Sequence, residues 1–553
     1  MKKKTAIIIL SVLIITMCFG CSKKAPQAPN PMQNNESDFT LSLLSDSLDR
    51  ENIFTKRDIS ASYDDAVYNI TLSDNNSKCD NPKTEIKDNV ITITNTGTYI
   101  IKGKLTQGQI NIEADDTDKI QLVLNGVHIK NASTSAINIV EAKKVFVTLA
   151  ENSTNTLSTT GEFVKTETNK ADGVIYSKQD LTLNGSGKLT IDSPYGHGVV
   201  CNDDLVIAGG DYNITAVKHC IKANDSINIA DGKFNLTAQK DALHCDNDDD
   251  SDKGNIYIKN MDSTINADDD ALHASGYFII DDGNITISKS YEGIEAQKIE
   301  INGGNIKLKA SDDGLNASGS SSSSESDRNN TTDKQNPFDS DENCYVNIAG
   351  GTLVIDADGD GIDSNGYIQQ TGGDVTVYGA ENGGNSALDY NISAKITGGK
   401  IVAFGYSGMA QGFGLNSTQG SILINFDNET TEEFILTDSN NNEIISAKTS
   451  KKYNSVTVST EEILKGETYT ATAGSQSKTI EMSDICYAEQ KSFGGGKGFK
   501  GNKQSEKGEM PDMKEKPDMQ ERPDMQERPD MQERPDMQER PDVPDMQEKP
   551  QTA

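Results

Sequence analysis

The sequence predicts an all-β fold, a parallel β-helix built from coils of about 22 residues. The first observation behind this prediction is a four-residue phrase, acid–small–aliphatic–polar, that recurs between residues 172 and 390. Its fullest copies begin at Asp241, Asp270, Glu292, Asp313 and Asp360. Weaker copies begin at Asp172, His197, His219 and Ser386. A period of this length indicates a solenoid, in which equivalent residues of successive coils stack into columns.

The second observation is a turn signal that runs in register with the phrase. Gly-Gly or Asp-Gly pairs precede short alternating runs, for example Gly303-Gly304 before residues 305–308. Alternating runs are typical of half-buried strands, and the glycines are typical of the turns between them. The third observation is that no long apolar stripe at helical spacing occurs. A β-sandwich with coincidental spacing would not share one phrase between coils, so we favour the β-helix.

The first residues of the chain are typical of a signal peptide over residues 1–20, with three lysines followed by an apolar run. Gly20 before Cys21 resembles a bacterial lipobox, which implies that Cys21 is lipidated. Cys18 departs from that pattern, because Leu is usual there, and simple cleavage with secretion is the alternative. Residues 21–50 are polar and are expected to form a lipidated tether. We therefore expect a lipid-anchored protein on the extracellular face of the bacterial cell membrane.

Composition divides the remaining chain into three parts. Residues 51–420 carry the alternating runs and are predicted to form the β-helix, with a Ser/Asp-rich flexible insert at 318–342. Residues 421–490 change character and suggest a small β module that caps the open end of the last coil. Residues 491–553 are Gly-rich and then repeat Pro-Asp-Met-Gln-Glu-Arg, which predicts a disordered tail.

The charge of the chain excludes one class of partner. The formal net charge is −33 at pH 7. A protein this acidic does not bind nucleic acid through a basic patch. It also repels acidic polymers unless cations intervene.

The stacked acids predict a calcium site. Equivalent residues of adjacent coils lie about 4.7–4.9 Å apart, and Ca²⁺–oxygen distances are about 2.3–2.6 Å, so one Ca²⁺ fits between carboxylates of neighbouring coils. A solvated row of turn residues is the alternative. The predicted metal ligands are Asp268, Asp269, Asp270, Glu292, Glu295, Asp312, Asp313, Asp358, Asp360 and Asp363.

Catalysis is not expected. Many parallel β-helices cleave polysaccharides, and their calcium-dependent pectate lyases use an Arg as base beside the metal. Here arginine occurs only at Arg50, Arg57, Arg328 and in the tail repeat, and none of these lies in a regular coil. We therefore predict a binding protein, with a calcium-dependent polysaccharide lyase and a structural envelope spacer as the alternatives.

A polysaccharide binder needs aromatic rings on which sugars stack. Trp is absent, so Tyr must supply the rings. The predicted stacking residues are Tyr277, Tyr367 and Tyr291, of which Tyr277 and Tyr367 hold the same position in their coils. An ordinary strand aromatic is the alternative for each of them.

Several segments resemble a known family. Residues 121–127 (Gln-Leu-Val-Leu-Asn-Gly-Val), 147–152 and 465–469, together with the Asp-Gly-Ile/Leu coils, are similar to the bacterial surface carbohydrate-binding β-helix family. That family was first recognised in cellulolytic clostridia as cellulose- and polygalacturonate-binding proteins. The resemblance implies a right-handed parallel β-helix, bound Ca²⁺ and non-catalytic binding of cellulose or acidic sugars. We therefore expect cellulose, polygalacturonate or an envelope glycan as the partner.

Overall fold

The computed structural model describes residues 39–63, 67–167, 169–247, 249–319 and 340–489. The predicted signal peptide, Cys21, the tail and most of the flexible insert lie outside the described residues. The described part contains one short helix, α1 (Leu44–Ser47), and is otherwise built from strands. This helix of the described part is not long and apolar enough to cross a membrane.

The strands follow one another along the chain with few long interruptions. They are β1 (Val67–Leu72), β2 (Lys78–Cys79), β3 (Glu85–Lys87), β4 (Val90–Ile93), β5 (Gly97–Leu105), β6 (Gln109–Glu113), β7 (Lys119–Asn131), β8 (Ile137–Glu141), β9 (Lys144–Leu149), β10 (Thr154–Thr159), β11 (Gly173–Ser177), β12 (Asp180–Gly185), β13 (Lys188–Ser193), β14 (His197–Cys201), β15 (Asp204–Ala216), β16 (Ile221–Ala223), β17 (Ser226–Ala238), β18 (Leu243–Cys245), β19 (Asn255–Ile258), β20 (Asp262–Ala267), β21 (Leu272–Ile280), β22 (Asn284–Lys289), β23 (Ile294–Ile301), β24 (Asn305–Ala310), β25 (Leu315–Ala317), β26 (Tyr345–Ile348), β27 (Thr352–Ala357), β28 (Ile362–Ser364), β29 (Tyr367–Gln370), β30 (Asp374–Tyr378), β31 (Leu388–Tyr390), β32 (Ser393–Ile396), β33 (Lys400–Gly405), β34 (Ser421–Thr430), β35 (Phe434–Asp438), β36 (Glu443–Ala447), β37 (Tyr453–Ser459), β38 (Thr468–Ala473), β39 (Gln476–Glu481) and β40 (Cys486–Ala488).

Parallel pairing from coil to coil arranges most of these strands in three stacks. Stack A consists of β4, β6, β8, β11, β14, β16, β18, β25, β28 and β31, with the first residues of β21 and β23. Stack B consists of β9, β12, β19, β26, β29 and β32, with the first parts of β5, β7, β15 and β17 and the last parts of β21 and β23. Stack C consists of β10, β13, β20, β22, β24, β27, β30 and β33, with the last parts of β7, β15 and β17. This arrangement confirms the predicted parallel β-helix.

The core of the solenoid is a set of stacked aliphatic columns. In stack A, Ile137, Ile175, Val199, Ile221 and Leu243 pair in register, and each is fully buried. Alternate strand residues point inward, so each coil buries its aliphatic side chains against those of the next coil. One buried cluster therefore extends through the stacked coils.

The Gly-Gly pairs mark the turns between stacks B and C, as predicted. Gly304 and Gly351 adopt φ angles of 87° and 80°, a region that favours glycine. A Cβ atom on Gly351 would lie 2.5 Å from the carbonyl oxygen of Gly304 in the preceding coil. The neighbouring backbones approach each other so closely here that a side chain does not fit.

The C-terminal described residues close the end of stack C. β37 pairs antiparallel with β33, the last strand of the stack, and β34 pairs with β37. β35, β36, β38 and β39 form a separate four-stranded antiparallel sheet. A second hydrophobic cluster joins this region to Val402 and Phe404 of β33. The exposed edge of the last coil is therefore covered.

An N-terminal strap, residues 39–60, lies on the outer face of stack B. The backbone N–H groups of Leu44 and Ser45 donate to the carboxylate of Glu300, at 2.7 and 3.0 Å. Arg50 pairs with Asp281 at 2.9 Å. The sequence predicts a tether over residues 21–50, but residues 44–50 contact the solenoid.

The strap continues along stack B toward the first coils. The carboxylate of Asp58 accepts a hydrogen bond from the Thr182 hydroxyl at 2.6 Å and pairs with Lys144 at 2.9 Å. Phe54 lies against Tyr257, with ring centroids 5.9 Å apart. The outward residues beneath the strap, such as Tyr257 and Thr182, are fully buried.

Candidate functional site

Two polar columns run along the edge of stack A. The first column contains the residue that opens each copy of the phrase: His197, His219, Asp241, Asp270, Glu292, Asp313, Asp360 and Ser386. The second column contains the residue three positions later: Val200, Lys222, His244, His273, Glu295, Asn316, Asp363 and Asp389. The predicted stacking of the acids is confirmed by this register.

Six side chains of the first column, those of His197, His219, Asp241, Asp270, Asp313 and Asp360, accept hydrogen bonds from the backbone of the next coil. Asp241 Oδ1 accepts the N–H of Asp270 at 3.0 Å, and Asp270 Oδ1 accepts the N–H of Glu292 at 3.1 Å. His197 and His219 do the same through Nδ1, which accepts the N–H of the next column residue at 3.3 and 3.1 Å. An acceptor side chain is therefore needed at this position to satisfy a buried N–H. The sequence alone does not predict this role, although the mixture of Asp, Glu and His at one position of the phrase is a signal for it.

The coils from His219 to Glu295 form the histidine half of the columns. The His244 ring stacks between those of His219 and His273, with centroids 4.1 and 4.9 Å apart. His244 Nδ1 lies 2.6 Å from Asp241 Oδ2, and His273 Nδ1 lies 2.8 Å from Glu295 Oε2. In this half, carboxylates and imidazoles are buried next to each other.

Burial and ion pairing move the histidine pKa values in opposite directions. Burial lowers the pKa of His219 to about 2 and that of His244 well below its ordinary value. Burial also acts to lower the pKa of His273, but its hydrogen bonds with Asp270 and Glu295 raise it well above the ordinary value. His273 is therefore a buried cation, and the pKa of Glu295 is lowered in return against the effect of its own burial.

The coils from Asp313 to Asp389 form the carboxylate half. Burial is the main cause that raises the pKa of Asp313 to about 7 and that of Asp360 to about 6. The same effect raises the pKa of Asp363 well above its ordinary value. The charged neighbours among the main causes of these three shifts are all carboxylates. Like charges packed this closely are costly unless protons or a cation neutralise them.

Three groups in the columns bring possible metal ligand atoms within 4.8 Å of one another. They are His219–Asp241–His244, Asp241–Asp270–His273 and Asp270–Glu292–Glu295. The last group offers only oxygen atoms, the ligands that Ca²⁺ prefers. Burial and the neighbouring carboxylates, Glu295 first among them, raise the pKa of Glu292 well above its ordinary value. This donor set fits Ca²⁺, which would take the place of the proton on Glu292.

The structure brings six of the ten predicted metal ligands into the two columns: Asp270, Glu292, Glu295, Asp313, Asp360 and Asp363. Asp312 is half-buried beside Asp313. The remaining three form ion pairs with lysine outside the columns. These pairs are Asp268–Lys289 at 2.5 Å, Asp269–Lys240 at 3.3 Å and Asp358–Lys451 at 3.0 Å.

One weak copy of the phrase is offset from the others. The sequence suggests that Asp172 is equivalent to His197, but the strand register pairs Gly173 with His197. That alignment was wrong by one residue. Asp172 instead pairs with Lys165 at 2.7 Å, so the first acceptor of the column is His197.

The predicted stacking tyrosines lie in different surroundings. Tyr277 and Tyr367 do share one register position, as predicted, with Tyr345 between them. The ring of Tyr367 lies against Phe39 of the strap, with centroids 4.6 Å apart. Tyr277 is half-buried, whereas Tyr291 is 40% exposed. The strap therefore competes with any sugar for the ring of Tyr367.

Comparisons with known proteins find partial matches to proteins described as carbohydrate-binding. Residues 87–332 match the model of a family described as carbohydrate-binding domain-containing protein. A carbohydrate-binding domain-containing protein of Acetivibrio thermocellus is 33% identical over 133 residues, which is 24% of this chain and 46% of the relative. The chain thus spans about half the length of that relative.

One solved structure is similar over part of the chain. It is the gadolinium derivative of a polysaccharide lyase-like protein from C. thermocellum, at 28% identity and a TM-score of 0.37. The likeness covers 45% of this chain and 96% of that one.

Proposed function

We propose that this protein is a cell-surface lipoprotein that binds polysaccharide without cleaving it and holds Ca²⁺ on its acidic columns. The observation that carries the calcium proposal is the carboxylate half, where the charged neighbours that raise the pKa values of Asp313, Asp360 and Asp363 are all acidic. The match of residues 87–332 to a carbohydrate-binding family supports the ligand class. The expected ligands are cellulose, polygalacturonate or an envelope glycan.

The residues that would hold Ca²⁺ are Glu292, Asp313, Asp360 and Asp363, with Asp270 and Glu295 beside them. A divalent cation neutralises neighbouring carboxylates and so permits them to ionise in a poorly hydrated place. Asp270, Glu292 and Glu295 are each less than one-tenth exposed. An ion among these three would stabilise the coil stack, and the glycan would bind on another face.

Calcium binding is tested by titration calorimetry of the purified protein. The D313N/D360N variant should lose heat of binding, whereas D192N/D262N, which removes two exposed acids from stack C, should bind as the natural protein does. Equal binding by all three proteins would exclude Asp313 and Asp360 as ligands. Absence of binding by the natural protein would show that the columns are a row of capping residues and hold no calcium.

Polysaccharide binding is tested by retention on cellulose, on polygalacturonate and on isolated envelope glycans. Incubation with polygalacturonate and Ca²⁺ should yield no unsaturated product absorbing in the ultraviolet. The appearance of that product would identify a lyase, and absence of retention on every glycan would identify a structural spacer.

Lipidation is tested in cells by labelling with a fatty-acid analogue. Label should be lost in Cys21→Ser and retained in Cys18→Ser. Secretion of the natural protein without label would favour simple cleavage of the signal peptide.

A further inference from the structure

The three stacks differ in how open their outer faces are. The outward residues of stack B, such as Tyr257 and Glu300, are buried beneath the strap. Those of stack A include His273 and Glu295, which are also buried. In stack C, the outward residues of consecutive coils from β15 to β24 are mostly exposed. Stack C therefore presents an open sheet face.

We propose that this face, between β13 and β24, is the docking surface for an anionic polysaccharide bearing uronate carboxylates. We name it the C face. The proposal rests on the proposed polysaccharide-binding function and assigns it a surface, separate from the acidic columns.

Hydroxyl and amide groups form a continuous central column on the C face. The strand register aligns Thr190, Asn213, Asn235, Thr264, Thr286 and Lys307. Adjacent members lie about 4.7–4.9 Å apart along the solenoid. Neighbouring amides interact, because Asn235 Nδ2 donates to Asn213 Oδ1 at 2.7 Å. These groups both donate and accept hydrogen bonds, which suits the hydroxyl groups of a sugar chain.

The charge of the C face is unlike that of the whole chain. One edge alternates in sign from coil to coil, through Lys188, Asp211, Lys233 and Asp262. Lys188 and Asp211 pair at 2.9 Å, so this edge is close to neutral. A face of this kind does not repel an acidic polymer as the rest of a chain with net charge −33 would.

The C-terminal end of the C face carries three lysines on two adjacent coils. Lys289 is paired with Asp268, but it is still 63% exposed. Lys309 is equally exposed and lies 4.0 Å from Asp356. Lys307 is exposed at the end of the central column. Lys307 and Lys309 are therefore placed to meet the carboxylates of a chain whose hydroxyl groups contact the Thr and Asn column.

The experiment measures affinity for polygalacturonate by affinity electrophoresis, with cellulose retention in parallel. K307E/K309E should weaken polygalacturonate binding by about tenfold, a difference of ~1.4 kcal/mol, and should leave cellulose retention nearly unchanged. The matched control K83E/K87E makes the same charge change at two exposed lysines of the first coils and should have less than a twofold effect. Binding should also weaken as salt is added.

The outcomes separate this inference from the proposed function. If the natural protein binds none of the glycans, the proposed function fails and the C face with it. If the natural protein binds polygalacturonate and K307E/K309E binds equally well, only the C face is overturned. Equal weakening by both charge-reversal variants, with unchanged thermal melting, would also overturn it, because net charge alone would then explain the effect.

Discussion

The two halves of the polar columns differ in how their buried carboxylates are neutralised. In the histidine half, the cationic His273 lies between Asp270 and Glu295, and the backbone N–H of the next coil satisfies the remaining oxygen of Asp270. In the carboxylate half, the N–H contacts continue, since Asp313 Oδ1 accepts the N–H of Asp360 at 2.6 Å, but the imidazoles are gone. The backbone contact is therefore repeated in both halves. His273 supplies the neutralising charge for Asp270 and Glu295, whereas Glu292 and the carboxylate half need protons or a metal ion.

Removing the protein's own cation should produce the largest effect. His273→Ala leaves Asp270 and Glu295 buried beside each other without their partner, and breaking a buried ion pair costs about 3–5 kcal/mol. Chemical denaturation should show this loss with or without a calcium chelator. His128→Ala is the control, because His128 is exposed outside the columns and its loss should leave stability unchanged. A stable His273→Ala protein would mean that Asp270 and Glu295 share a proton rather than face a cation.

Calcium removal should have the next largest effect and should act on the carboxylate half. A ligand bound only by the folded state stabilises it by about 2.7 kcal/mol at a hundredfold excess over Kd. Chelator should therefore lower the melting temperature of the natural protein, and D313N/D360N should melt at one temperature with and without chelator. If chelator does not change the melting temperature of the natural protein, then protons alone neutralise this half.

The stability of the metal-free protein should depend on pH. This smaller effect also arises from the carboxylate half. An unfolded aspartate loses its proton near 3.8, whereas Asp313 keeps its proton up to about pH 7 and Asp360 up to about pH 6. Between these values the folded state binds more protons than the unfolded state, so stability falls as pH rises. Melting in chelator should occur at a lower temperature at pH 8 than at pH 5. D313N/D360N should show a shallower decline, and an equal decline would place the titrating groups elsewhere.

The sequence predicted the solenoid well because each coil repeats the same local pattern. The aliphatic residues of the phrase form the buried column from Ile221 to Leu388. The Gly-Gly pairs form turns where a Cβ atom does not fit. Period and turn chemistry are properties of neighbouring residues, so a single sequence displays them. The one-residue offset at Asp172 shows the limit, since a short phrase with two small or aliphatic residues in a row permits two alignments.

Contacts between distant segments could not be predicted in this way. Nothing near Tyr367 in the sequence indicates that Phe39 covers its ring, and nothing near Glu300 indicates that Leu44 and Ser45 donate to it. The same applies to the division of the acids, because whether a carboxylate meets a histidine or a lysine depends on the neighbouring coil. A repeated acid in the sequence therefore predicts that its side chain lies in the column. Only the folded structure shows which of these carboxylates has a basic partner.

The smallest expected effect concerns Asn316, which lies at the boundary between the two halves. Asn316 occupies the second column between Glu295 and Asp363, and its Nδ2 donates to Glu292 Oε2 at 3.0 Å. Asn316→Asp keeps the shape, removes that donor and adds a carboxylate, which should cost about 1 kcal/mol in chelator. If calcium neutralises the carboxylate half, the added acid should make the melting temperature more sensitive to chelator than in the natural protein. Asn302→Asp, at an amide that donates to Asp281 away from the columns, should lose similar stability without that added sensitivity. An equal response of the two variants would mean that the boundary at Asn316 has no bearing on metal binding.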